Sequence, residues 1–275
     1  MLAALRRHWP EYLMEAFGLG LFMASAGAFA VLLFHPDSPV ASTIPDADVR
    51  RVLMGLAMGV TAVVNIYSPW GRRSGAHLNP ATTLTFWRLG KVTPADAGWY
   101  AIAQFAGGTA GAALTAVVLR ELFMEPPVSA IATVPGPPGV GVAFLAELAI
   151  SFVLLTVVLR LGGARVTGLV VGALVAAYIA VEAPLSGMSM NPARTFASAA
   201  VGGQWTALWV YFLAPPLGML LAAEVYLCRT GRATGCAKFY HATDVRCIFC
   251  GYRPPAQVPV EAGPVRDLDP AEATR

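Results

Sequence analysis

Apolar residues run through this chain in long blocks, at about 11–34, 49–67, 97–119, 138–161, 166–184 and 205–228. Each block approaches the ~20 residues that a helix needs to cross ~30 Å of hydrocarbon, so the pattern predicts six spanning helices. Between the second and third blocks, and again between the fifth and sixth, the pattern breaks in the same way. "SGAHLNPATTLTFW" (74–87) and "SGMSMNPARTFASAA" (186–200) each give a loop of small residues and then Asn-Pro-Ala. Roughly ten helix-compatible residues follow in each case, about half of what a span requires. The order is span, span, half-helix, span, written twice. Three spans is an odd number, so the second copy crosses in the opposite orientation, and the broken helices of such an inverted repeat meet near the midplane. The predicted fold is an all-α membrane protein of six transmembrane helices plus two re-entrant half-helices. A first repeat covers 1–120 with its half-helix at 79–88, a second covers 121–228 with its half-helix at 191–201, and 229–275 form a tail.

Composition agrees with this. Of 275 residues, 56% are hydrophobic and only 13% charged, where a soluble domain carries about a quarter charged residues. The first block is too long for a cleaved signal and carries Glu15. The net charge of +3 matters less than its placement. Arg6, Arg7, Arg72, Arg73, Arg88, Lys91, Arg160, Arg165, Arg229, Arg232 and Lys238 fall on one side of a six-span topology. By the positive-inside rule that side is cytoplasmic and holds both termini. The bias belongs to the lipid bilayer, and no nucleic-acid partner is expected.

The repeated tripeptide has a physical logic. Pro80 and Pro192 suit a first helical position, where an N–H is not needed and φ is preset. Asn79 and Asn191 suit the N-cap before them, and an Asn whose oxygen caps the helix keeps its amide N–H groups free to donate into a lumen. Ala81 and Ala193 keep each junction narrow. Two half-helix dipoles converging there offer donors to an oxygen atom and a potential that repels cations. Irregular backbone at this depth is tolerated where it lines a polar cavity, so the carbonyls of Gly75, Ala76, His77, Gly187, Met188 and Ser189 are expected as acceptors along a narrow pore for neutral molecules. Arg194 follows Asn191 by three residues, and an arginine inside a membrane is a functional candidate by default. Glu15 and Glu147 occupy matching places in the two repeats. They read either as acceptors that hold each loop's backbone or as the proton relay of a coupled transporter. "GGTAGAA" (107–113) and "GLVVG" (168–172) carry the small-residue spacing of close helix crossings. The spans hold no nucleophile, aspartate pair or metal dyad, so an enzyme is not expected.

Cys228, Cys236, Cys247 and Cys250 all lie at or beyond the end of the sixth block, on the predicted reducing side, so disulfides are not expected. Cys236, His241 and the Cys247-x-x-Cys250 pair suit tetrahedral zinc chemistry, although the first spacings are not those of a standard finger. Reduced free thiols are the alternative, with no cofactor. The last 25 or so residues are rich in Pro and charge and read as disordered.

Taken together, "SGAHLNPA", "NPAR", "YAIAQFAGG" and the first-helix glutamate resemble the aquaporin family, also called major intrinsic proteins. The resemblance covers roughly 11–228. It implies a multi-pass protein of the plasma membrane (a bacterial inner membrane) and a homotetramer with one pore per subunit. Conduction of water or small uncharged solutes would be passive, without a cofactor. The family's selectivity filter carries over onto Arg194, Met188, Ile179 and Met58, with Gly59 as the alternative second-span position from an ungapped count. Such a ring of Met, Ile, Met and Arg lacks the histidine and aromatic residue of water-selective members, and is open to glycerol, urea, peroxide or uncharged metalloid acids. "PLSGMSMNPAR" resembles the glycerol branch, whereas Thr195, Ala199, Tyr211 and Phe212 depart from it.

Overall fold

Helices form where the apolar blocks lie. The computed structural model describes residues 1–255. Its spans are Leu2–Phe34, Ala47–Tyr67, Pro94–Leu119, Val140–Leu161, Thr167–Val181 and Leu208–Thr230, called spans 1 to 6 below. The half-helices are Pro80–Arg88 and Pro192–Gly202. No strand occurs among the described residues. The reading of the chain end as disordered falls, from residue 256 onward, outside the described residues.

Two boundaries differ from the sequence expectation. Span 1 begins nine residues before position 11 because its first turns are held from the side. His8 Nδ1 and the Tyr12 hydroxyl both bond Asp96 at the start of span 3, at 2.8 and 2.7 Å. Span 5 is only 15 residues long. At 1.5 Å per residue that is about 22 Å, short of the hydrocarbon thickness. A separate helical turn, Ala183–Ser186, follows it directly and carries the chain into the second loop.

The spans cross through glycine. A Cβ on Gly107 or Gly111 of span 3 would lie 2.1 or 2.2 Å from the carbonyl oxygens of Ala16 and Gly20 in span 1. On span 2, a Cβ at Gly59 would meet the Gly172 carbonyl of span 5 at 2.5 Å. Small residues let these backbones touch, which is how helices associate where lipid removes any hydrophobic drive between them. Spans 2 and 5, one from each repeat, thus meet along one side of the bundle. Large apolar side chains such as Leu114, Val117, Val118 and Val181 point outward, 61–77% exposed, as a lipid-facing surface requires.

Candidate functional site

Both loops are built by one local recipe. Ser74 and Ser186 end a helical turn, and Gly75 and Gly187 follow in the left-handed region at φ +104° and +80°. Ala76 and Leu78, then Met188 and Met190, also take positive φ. This costs backbone energy that surrounding contacts must offset. A buried glutamate supplies them in each repeat. Glu15 accepts from Ser74 Oγ (2.7 Å), His77 N (3.1 Å), Leu78 N (2.6 Å) and Gln104 Nε2 (2.8 Å). Glu147 accepts from Ser186 Oγ (2.8 Å), Ser189 N (2.6 Å) and Met190 N (2.7 Å). A tyrosine finishes each turn, with Tyr100 OH donating to Ser74 O and Tyr211 OH to Ser186 O. The sequence reading missed the serines and tyrosines, although "SG" opens both loops and was visible.

The half-helices start on the two asparagines. Asn79 Oδ1 accepts from Ala81 N at 2.9 Å, and Asn191 Oδ1 accepts from Ala193 N and Arg194 N at 3.0 and 3.3 Å. Their amide nitrogens then cross. Asn79 Nδ2 donates to Met190 O and Asn191 Nδ2 to Leu78 O, each at 2.7 Å. One of the two N–H groups on each amide is therefore engaged with the opposite loop, and the second remains for the lumen. The expectation that the whole amide is free is corrected accordingly.

A cavity of about 320 Å³ runs past this junction. Met58, Ile179, Met188 and Arg194 all line it, as do Ala76, His77, Gly187, Ser189, Asn79 and Asn191. Gly59 does not, because it faces span 5. The backbone carbonyls of Ala76, His77, Gly187, Met188 and Ser189 take no hydrogen bond among the described residues. Gly75 is an exception: its carbonyl accepts from Phe239 N at 3.1 Å, and it does not line the cavity. Facing the loops is an apolar wall that includes Leu19, Phe22, Leu154 and Val175. Arg194 is held by a hydrogen bond from its guanidinium to the Thr133 hydroxyl. Among the cavity residues that the sequence did not single out for the pore are Arg51 and Met54 of span 2 and Phe239 from the tail.

That tail is the largest departure from expectation. Residues 235–252 form no helix or strand, yet they pack against the face where span 1 begins. Cys236 Sγ lies 3.3 Å from Cys247 Sγ, and His241 Nε2 lies 3.2 Å from Cys250 Sγ. The ligand atoms of all four residues fall within 4.8 Å of one another. Cys228 sits apart and exposed on span 6.

Residues 4–226 match the family model described as Major intrinsic protein. Aquaporin NIP1-4 of Oryza sativa subsp. japonica is 34% identical over 221 residues, covering 78% of this chain and 76% of that one. Aquaporin NIP1-3 of the same plant is 38% identical over 62% of this chain, which spans only 59% of its length. Glycerol uptake facilitator protein-like 6 of Lactiplantibacillus plantarum is 36% identical over 78% of this chain and 94% of its own. Among solved structures, the aquaglyceroporin from Plasmodium falciparum shares the fold, with a TM-score of 0.65, 22% identity, and coverage of 80% and 95%. With a matching model over most of its length and its inverted pair of Asn-Pro-Ala half-helices, the chain belongs to the major intrinsic protein family, whose members are channels and not enzymes.

Proposed function

We propose that each chain encloses one passive pore for water and small uncharged solutes, with Asn79 and Asn191 at its midpoint. The crossed amide bonds carry this reading, because they aim one remaining N–H of each asparagine into the same cavity. A passing oxygen atom accepts from those donors and gives its hydrogens to the carbonyl strip, while the apolar wall opposite offers nothing to hold it. Two half-helix N-termini at that point disfavour cations. Arg194 adds a second barrier one turn away. Pro80, Ala81, Pro192 and Ala193 start the helices and keep the junction narrow. Glu15 and Glu147 hold the loops. Their three or four donors each leave no carboxylate free to carry protons, which weighs against a coupled transporter.

Met58, Ile179 and Met188 make three sides of the filter apolar and flexible, with Arg194 as the fourth. Such a ring favours a solute with a carbon face and a hydroxyl edge, so glycerol or peroxide conduction alongside water is the second reading. A homotetramer in the plasma membrane, with both termini in the cytoplasm, completes the proposal; the arginines flanking the spans support that orientation. Stopped-flow light scattering on proteoliposomes, with water, glycerol, urea and peroxide in turn, tests it. No faster response than protein-free vesicles to any of the four, in protein as purified and in protein treated with a metal chelator, refutes the pore.

A further inference from the structure

Residues 235–252 are too few to build a core of their own, yet they pack onto both repeats, and Phe239 among them reaches the cavity. Phe239 N donates to Gly75 O in the first loop, and two residues on, His241 N donates to Gly163 O between spans 4 and 5. The segment thus ties one repeat to the other. Between those ties the Phe239 side chain, 5% exposed, lines the cavity at the end remote from Arg194. His77, itself a cavity residue, bonds Ala237 O through Nε2 at 2.9 Å, and its ring is stacked on Phe249 at 5.4 Å and 6°. Lys238 Nζ, almost wholly buried, donates to the carbonyls of Arg72 and Arg73 at 2.7 and 3.0 Å. These contacts fix Phe239 over the opening.

An irregular segment this short needs a crosslink to keep one shape. It has the residues for one. Cys236, His241, Cys247 and Cys250 present four ligand atoms within 4.8 Å. A tetrahedral zinc with ~2.3 Å bonds to sulfur and ~2.0 Å to nitrogen spaces its ligands ~3.5–3.8 Å apart, which this cluster meets with small adjustments. The ligands bracket Phe239 and Phe249 in sequence, so fixing them fixes both aromatic rings.

We propose that these four residues bind one zinc ion and that the zinc-held segment is a gate, closing the pore at the terminus-bearing face with Phe239 as its plug. The gate rests on the pore reading above; the metal site does not. Metal binding to a site absent from the unfolded chain is folding free energy for that segment. Loss of the ion releases the tail and uncovers the mouth.

The test uses the full chain, purified under reducing conditions. Elemental analysis should find about one zinc per chain, and cobalt exchange should give the thiolate–cobalt absorption of a tetrahedral site. Cys247→Ser with Cys250→Ser should abolish both. In proteoliposomes, a membrane-permeant zinc chelator should raise water permeability, and zinc should restore it. If the released form is a minor state of ~10% in the zinc-bound protein, the rise is roughly tenfold. Phe239→Ala should show the high permeability while retaining its zinc, which separates the plug from the clamp and does not depend on the cysteine variant folding. Absent zinc, or a Cys236–Cys247 disulfide in the reduced preparation, overturns the metal site. Bound zinc with permeability indifferent to chelator and to Phe239→Ala overturns the gate and leaves the pore standing. Vesicles that stay impermeable in every form, Phe239→Ala included, overturn the pore reading and the gate with it.

Discussion

Replacing Glu147 with glutamine keeps the side chain's shape and changes what it can accept. The native carboxylate receives Ser186 Oγ and Ser189 N on one oxygen and Met190 N on the other. Glutamine offers one oxygen. In its best orientation that oxygen faces Ser186 and Ser189, and the amide NH₂ is left pointing at the N–H of Met190. One charge-assisted bond is lost and a buried donor is unsatisfied, together about 2–4 kcal/mol. For a chain of this size each kcal/mol moves the unfolding midpoint by about 2–4 °C, so a fall of roughly 5–15 °C is expected in detergent. Flux should fall too, since the Met190 carbonyl receives Asn79 Nδ2 across the junction. Tryptophan-fluorescence melting and stopped-flow scattering read the two effects. Glu224→Gln is the control: its exposed pair with Arg88 is worth at most ~1 kcal/mol. An unchanged midpoint in Glu147→Gln would refute the idea that this carboxylate holds the loop. An unchanged midpoint with lost sensitivity to a proton gradient would make it a proton carrier instead.

Other substitutions address other parts. Arg194→Val should widen the filter and raise proton leak, measured with a pH-sensitive dye inside vesicles; unchanged leak and solute ranking would remove Arg194 from the pore. Met58→Trp should reduce glycerol flux more than water flux, whereas Gly59→Leu should act through stability, because that side chain would meet the Gly172 carbonyl. A selective loss of glycerol flux in Gly59→Leu, with Met58→Trp acting only through stability, would show the reverse assignment. Gly107→Leu forces span 1 away from span 3, against a carbonyl only 2.1 Å from the added Cβ. Overpacking of this kind costs ~1–3 kcal/mol or more, visible as a lower melting point or lost expression.

The spans and half-helices were legible because hydrocarbon thickness fixes the length of an apolar run, and Asn-Pro starts a helix wherever it stands. Arg194, Glu15 and Glu147 were legible for the opposite reason, as polar residues where water is scarce. Met58 and Gly59 differ by about 100° of rotation on one helix. Which one faces the cavity is decided by the glycine contact with span 5, a partner 113 residues away whose identity no local pattern records. The tail was least legible. Its fold comes from pairings such as Arg246 with Glu11, separated by 235 residues, and from backbone bonds to two loops. Hydrophobic periodicity carries no trace of either.

The crossed asparagine bonds have a consequence for biosynthesis. Asn79 finds its carbonyl partner 111 residues downstream, and the Leu78 carbonyl finds its amide 113 residues downstream. At ~5–20 residues per second, the first loop exists for roughly 5–20 s before its complement leaves the ribosome. Until then one carbonyl at membrane depth has no amide to receive, and only Glu15 and its neighbours hold the turn. The loop that nucleates first is thus finished last, by a segment inserted upside down relative to it. Each repeat is the template on which the other closes.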